Sequence, residues 1–129
     1  MIKVIPQTIA RVANGQPPII YGDGTDMRDY IHVSDVAEVI IHMLKARPTG
    51  IFNVATGKSR GLADVVETII GVSGRNIIPL YQPRRKPRVD FAFDVCRLQK
   101  ELVHLPQKNF VEGIRDQYEH YLRFGRNAA

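Results

Sequence analysis

The sequence predicts an α/β fold: a small mixed domain of short strands and about four to five helices, and three observations carry that expectation. Apolar residues recur at helical spacing in several separate stretches, most clearly at Val36, Val39, Ile40, Met43 and Leu44. Between those stretches lie short runs rich in β-branched and aromatic residues, such as Ile19-Ile20-Tyr21 and Ile51-Phe52-Asn53-Val54-Ala55. Stop and turn signals divide the two kinds of run at short intervals: Asn14-Gly15, Gly22-Asp23-Gly24, Pro48 and Gly50. With 129 residues and no convincing linker or repeat, residues 1–129 read as a single domain.

Taken in order, Ile2, Ile5, Ile9 and Val12 predict a short helix, interrupted at Pro6 and stopped at Asn14-Gly15. Ile19–Tyr21 and Asp29–Val33 read as two extended runs around a glycine-rich turn. Ser34 is placed to cap the next helix, which ends before Pro48 and Gly50. Ile51–Ala55, bounded by Gly50 and Gly57, reads as a buried strand. Leu62, Val65, Val66, Ile69 and Ile70 share a helical face closed by Gly71 or Gly74, and Ile77–Tyr81 suggests an edge strand because it carries Pro79. Pro83–Arg88 is a basic loop, and Val89, Phe91 and Phe93 then alternate with polar or small residues. Asp94 can cap a helix through Leu98 and Leu102, and Asn109 with Glu112 opens a last one through Ile114, Tyr118 and Leu122.

Composition narrows the class of function. At 44% hydrophobic and 24% charged, the chain has the make-up of a globular domain. It holds no apolar run near the ~18 residues of a membrane span, and its start lacks a signal peptide's pattern, so a cytoplasmic protein is expected. Cys96 is alone, which excludes an intramolecular disulfide and makes a half-buried thiol the simplest expectation. The net charge of +5 is concentrated in Arg84, Arg85, Lys86 and Arg88, which argues for a local anion site over a nucleic-acid face. His42, His104 and His120 have no partner at metal or triad spacing, and His32 reads as a structural hydrogen-bonding residue.

The most specific run is Tyr21-Gly22-Asp23-Gly24-Thr25-Asp26-Met27-Arg28-Asp29-Tyr30-Ile31-His32-Val33-Ser34-Asp35-Val36-Ala37. It resembles a stretch of the NAD-dependent epimerase/dehydratase family, the extended short-chain dehydrogenases/reductases, which leads from a substrate-binding strand pair into a helix. Ile51–Ser59 and Pro83-Arg84-Arg85, followed by Asp94 and the Leu98–Leu102 segment, are similar to two further family motifs in the same order. The resemblance implies the C-terminal, substrate-binding portion of that fold. It implies that Arg28 and an arginine of the Arg84-Arg85 pair, Arg85 being preferred, grip the diphosphate of a nucleoside-diphosphate sugar, while Ile19 and Tyr21 flank its base. A guanidinium suits this role because it is a planar fork of donors that stays charged. One departure stands out: where the family commonly has Gly-Asp after the arginines, this chain has Pro87 and Arg88, with Asp90 as a possible substitute acid.

What is missing bears on catalysis. No glycine-rich dinucleotide turn can be drawn, and no lysine follows a tyrosine at the Tyr-x-x-x-Lys spacing that hydride chemistry in the family uses. No catalytic residue, cofactor or metal is therefore expected within this chain, although NAD is implied for an intact relative. The expected partners are a nucleoside-diphosphate sugar and either a second copy of the chain or a separate Rossmann half, with no nucleic acid and no membrane. The alternative is an autonomous interaction or assembly module whose ligand site is a relic.

Overall fold

A computed structural model describes residues 4–102 and 107–125. In chain order the elements are α1 (Val4–Ala13), β1 (Ile19–Tyr21), β2 (Met27–Asp29), α2 (Val33–Ala46) and β3 (Ser59–Gly61). They continue with α3 (Leu62–Ser73), β4 (Leu80–Gln82), α4 (Cys96–Glu101) and α5 (Phe110–Phe124). The mixed architecture is as the patterning predicts, with five helices and strands of three residues each.

The main core is a three-helix layer. Ile9, Val12 and Ala13 of α1, Val65 and Ile69 of α3, and Ile114 and Tyr118 of α5 bury one another, because in each helix these residues recur at three- or four-residue intervals. A smaller cluster joins Val39 of α2 to Leu98 and Leu102, with Met43 and Phe52 against it. Pro6 lies in the first turn of α1, where its missing N–H would have had no helical partner in any case. Asn109 caps α5, its side-chain oxygen accepting from the N–H of Val111 and of Glu112. Gly74, in the left-handed conformation, closes α3. Ile2 and His104 lie outside the described residues.

The strands form two separate pairs. β1 runs parallel to β4, with Ile19, Ile20 and Tyr21 opposite Leu80, Tyr81 and Gln82. β2 runs antiparallel to β3, with Met27, Arg28 and Asp29 opposite Gly61, Arg60 and Ser59.

Several sequence expectations are corrected. The second extended run is Met27–Asp29, not Asp29–Val33, because its register is set by β3, a Ser-Arg-Gly segment with no apolar alternation to announce it. By Val33 the chain is already helical, and the cap of α2 is His32, whose Nδ1 accepts from the Ser34 N–H at 3.2 Å. The helix ends at Arg47, in the left-handed region at φ 50°, just ahead of Pro48. Ile51–Ala55 is not a strand: Ile51 is 84% exposed, and Asn53 donates to the Asp94 carbonyl at 2.9 Å. β4 begins at Leu80, one residue after Pro79, because the Leu80 N–H is the first free to donate across to Pro18. The alternating residues 89–93 form no ladder, and Phe91 and Phe93 stack with centroids 6.3 Å apart. Asp94 accepts from the Cys96 N–H at 2.8 Å but lies one residue ahead of the cap of α4, which is Val95, and Cys96 is exposed rather than half-buried.

Candidate functional site

The parallel pairing of β1 with β4 delivers two distant segments to one place. β1 runs into the Gly22-Asp23-Gly24 turn, β4 runs into the basic loop, and the Gly22 N–H donates to the Gln82 carbonyl at 2.8 Å. Gly22 and Gly24 have φ of +87° and +77°, which a side-chain-bearing residue adopts only under strain. At Gly22 a Cβ would also lie 2.7 Å from the Arg84 guanidinium, so the turn is glycine partly to let that side chain pass.

The basic residues divide into two groups. Arg84 donates to both carboxylate oxygens of Asp26 at 2.7 Å and to Asp23 at 2.9 Å. Arg88 pairs with Asp90 at 2.9 Å and donates to the Thr25 hydroxyl, also at 2.9 Å. These ion pairs hold both guanidinium groups protonated even more firmly than usual, through Asp26 for Arg84 and Asp90 for Arg88. Asp90 is held below the usual carboxylate range, chiefly by Arg88 and then by the Met27 N–H. Asp23 is also lowered, first by the Thr25 hydroxyl and N–H, with Arg84 contributing last.

The second group is uncompensated. Arg85 lies over the Tyr21 ring at 4.5 Å, Arg28 over Phe91 at 4.7 Å and Arg60 over Phe110 at 4.3 Å. Among the described residues, none of the three has an ion-pair partner. Arg28 does not pair with Asp26 or Asp29; its Nη1 donates to the carbonyls of Met27 and Val89. Asp26 is taken by Arg84, and Asp29 accepts from the N–H and hydroxyl of Thr56 at 3.0 and 2.8 Å.

Sequence reasoning therefore places Arg28, Arg84, Arg85 and Tyr21 in one connected region. Ile19 lies at the far end of β1, opposite Leu80; β1 is paired on one edge only, and its other edge has no strand neighbour among the described residues. Asp90 does reach the region as the substitute acid would, through Met27 and Arg88. The charge of the basic loop is smaller than its sequence suggests, since Arg84 and Arg88 are both neutralised.

Two features escaped the sequence reading. Arg60 is exposed on β3, a strand that no periodicity signals. Tyr30, tilted against Phe110 with ring centroids 6.2 Å apart, buries a hydroxyl with no hydrogen-bond partner among the described residues, and burial pushes its pKa above the usual 10.0. It lines a cleft of about 250 Å³ together with His32, Lys58, Arg60, Lys108 and Phe110. The other histidines fill structural roles: His42 contacts the Glu101 carbonyl at 3.1 Å and His120 packs on Phe124. No cluster of metal-ligating side chains occurs among the described residues, and no described helix is long and apolar enough to cross a membrane.

The glycine turn does not fit a dinucleotide. It leads from β1 into a second strand instead of a helix N-terminus, and the space above Gly22 is filled by Arg84. The residues present thus offer NAD no phosphate-binding turn at this place.

The fold and the arrangement of the three motifs can be set beside known proteins. Residues 1–55 match the model of the NAD dependent epimerase/dehydratase family. A dTDP-glucose 4,6-dehydratase from Xanthomonas campestris pv. campestris is 31% identical over 93% of this chain and 38% of its own length. Among solved structures, a UDP-N-acetylglucosamine 4-epimerase from Methanobrevibacter ruminantium M1, in complex with UDP-N-acetylmuramic acid, superposes with a TM-score of 0.82 at 30% identity. That match covers 92% of this chain and 39% of the epimerase. A UDP-glucose 4-epimerase from Thermotoga maritima, solved with UDP-glucose, gives a TM-score of 0.81 at 26% identity, covering 93% of this chain and 39% of that one. The chain is thus similar to the NAD-dependent epimerase/dehydratase family, whose model matches residues 1–55, and it spans well under half the length of the relatives it matches.

Proposed function

We propose that this chain supplies the nucleoside-diphosphate-sugar site of an NAD-dependent epimerase or dehydratase and does not turn over substrate alone. One observation carries the reading: the Arg85 guanidinium carbon lies over the Tyr21 ring, 4.5 Å from its centroid, at the end of β1, with no carboxylate partner among the described residues. A guanidinium held by a ring and not by a carboxylate keeps its charge and N–H donors for a phosphate, which it can meet through two parallel hydrogen bonds. Arg28 provides a second cation from β2, and two of the solved epimerases similar to this chain are in complex with UDP-linked ligands. In this scheme Arg85 and Arg28 bind the diphosphate, Arg84 fixes the loop, and Tyr21 with the open edge of β1 meets the base. Hydride chemistry would require a dinucleotide-binding portion such as an intact relative is expected to supply.

The test is thermal melting with UDP, UDP-glucose and dTDP-glucose. A ligand at about a hundred times its Kd raises stability by about 2.7 kcal/mol, and the shift should disappear in Arg85→Ala. If no nucleotide shifts the melting curve, the proposal fails.

A second property, self-association, is favoured by α2. Its buried residues are Asp35 and Val39, yet Val33, Ile40, Ile41 and Leu44 on the opposite side are 77, 52, 53 and 71% exposed. A helix apolar on two faces has a second surface to bury. The stripe is uncharged along its whole length, so it is complementary to itself about a two-fold axis and suits a second copy of the chain.

A further inference from the structure

Arg28 and Arg60 occupy the centres of β2 and β3 and are direct cross-strand partners. Residues so paired project from the same face, with Cβ atoms ~4.5–5.5 Å apart, and like charges in that position repel. The ordinary remedy is a carboxylate between them. Neither arginine has one among the described residues: Asp23, Asp26 and Asp90 pair with Arg84 or Arg88, and Asp116 on the Arg60 side pairs with Lys108. Each arginine is instead drawn onto an aromatic ring on its own side, Phe91 at 4.7 Å and Phe110 at 4.3 Å. Arg60 donates no hydrogen bond to any described residue, so all its edge donors are free.

An arrangement that places two unneutralised cations opposite each other, props each on a ring and leaves donors unspent lacks one component, an anion. We propose that Arg28 and Arg60 form a two-armed grip for a single phosphate-bearing group, with Arg60 an affinity-determining residue outside the recognised motifs. The inference rests on the proposed function in that Arg28 serves both. It adds that the ligand's phosphates are held across the β2–β3 pair as well as by the basic loop, and that Arg60 decides how tightly.

The experiment has two arms. Calorimetric titration with pyrophosphate and with UDP-glucose compares the wild-type chain with Arg60→Gln and Arg60→Lys. Loss of one bidentate, charge-assisted contact should weaken binding of both ligands ~10-fold or more in Arg60→Gln, with partial recovery in Arg60→Lys, which keeps the charge but not the fork. In the second arm the ligand-free proteins are melted at low and high salt. Relief of repulsion should raise the melting temperature of Arg60→Gln at low salt, and that gain should vanish at high salt. Unchanged affinity in Arg60→Gln, with wild-type binding intact, would overturn the grip while leaving the sugar-nucleotide site standing. Arg60-dependent binding of pyrophosphate without any response to UDP-glucose would keep the grip and remove the substrate. No binding of either ligand by the wild type would overturn both.

Discussion

Asp26 receives two hydrogen bonds from one guanidinium nitrogen: Nη1 of Arg84 lies 2.7 Å from each of its carboxylate oxygens. Asp26 is 14% exposed in its side chain, which makes this contact the best-shielded ion pair of the region. It ties the basic loop to the turn after β1 and withholds Arg84 from any other anion. Asp26→Asn should therefore act in two opposite directions, lowering the melting temperature by a few degrees while tightening UDP binding as Arg84 is released. Melting curves and titrations on the same variant check both signs.

Acid should unfold the chain through its paired aspartates. The carboxyls of Asp23, Asp90, Asp94 and Asp116 all sit below their ordinary value of 3.8 in the folded state, Asp90 mainly through Arg88 and Asp116 mainly through Lys108. A carboxylate whose folded pKa is depressed stabilises the native state above its unfolded pKa, and that contribution is lost as pH falls through the folded value. Stability should thus be flat near neutrality and decline below about pH 4. Asp90→Asn should make the acid limb shallower, measured as melting temperature against pH.

Tyr30 behaves in the opposite sense. Its folded pKa is raised by burial, so its contribution is complete below the unfolded value of 10.0 and is lost as pH climbs through the folded one. Its hydroxyl has no partner among the described residues, so Tyr30→Phe removes an unsatisfied polar group. Melting of Tyr30→Phe at pH 7 should be equal to or above wild type, with a gentler alkaline limb. A marked loss of stability would show that the hydroxyl is bonded in solution.

Ile69 is fully buried at the junction of α1, α3 and α5. Ile69→Ala should destabilise by about 2–5 kcal/mol, read from chemical denaturation, because the two facing helices, α1 and α5, cannot both close on the gap.

Light scattering should detect self-association, and Leu44→Glu, which sets a charge in the exposed stripe of α2, should abolish it without lowering the melting temperature. A monodisperse monomer at high concentration would end that reading.

The helices were legible wherever apolar residues repeat over three turns, as in α2, α3 and α5, and so were the caps set by local side chains, Asn109 being the clearest. The strands were legible only in part: Ile19–Tyr21 is β1 as its composition suggests, and the edge strand expected at Ile77–Tyr81 is narrowed and shifted to Leu80–Gln82. Ile51–Ala55 has the composition of a strand, but pairing needs a neighbour, and the described chain brings it none. Ser59–Gly61 has the wrong composition and is a strand because β2 lies alongside. The site divides the same way. Arg28, Arg84, Arg85 and Tyr21 were visible through their motifs, whereas the sorting of arginines into neutralised and free depends on Asp23 and Asp26, which meet Arg84 across about sixty residues, and on Asp90, which meets Arg88 locally. Arg60 carried no local signal, since its relation to Arg28 exists only in the strand register.

The bonds that build this region span long stretches of chain: Arg84 meets Asp23 across 61 residues, and Arg88 meets Thr25 across 63. Closing loops of that size is entropically unfavourable and comes after local helices have formed. The proposed phosphate site is for that reason expected to form late in folding. A chain ended before β4 would keep α1, α2 and α3 in its sequence yet carry no trace of the pocket, and ligand affinity would serve as a sensitive gauge of whether any variant has reached its native state.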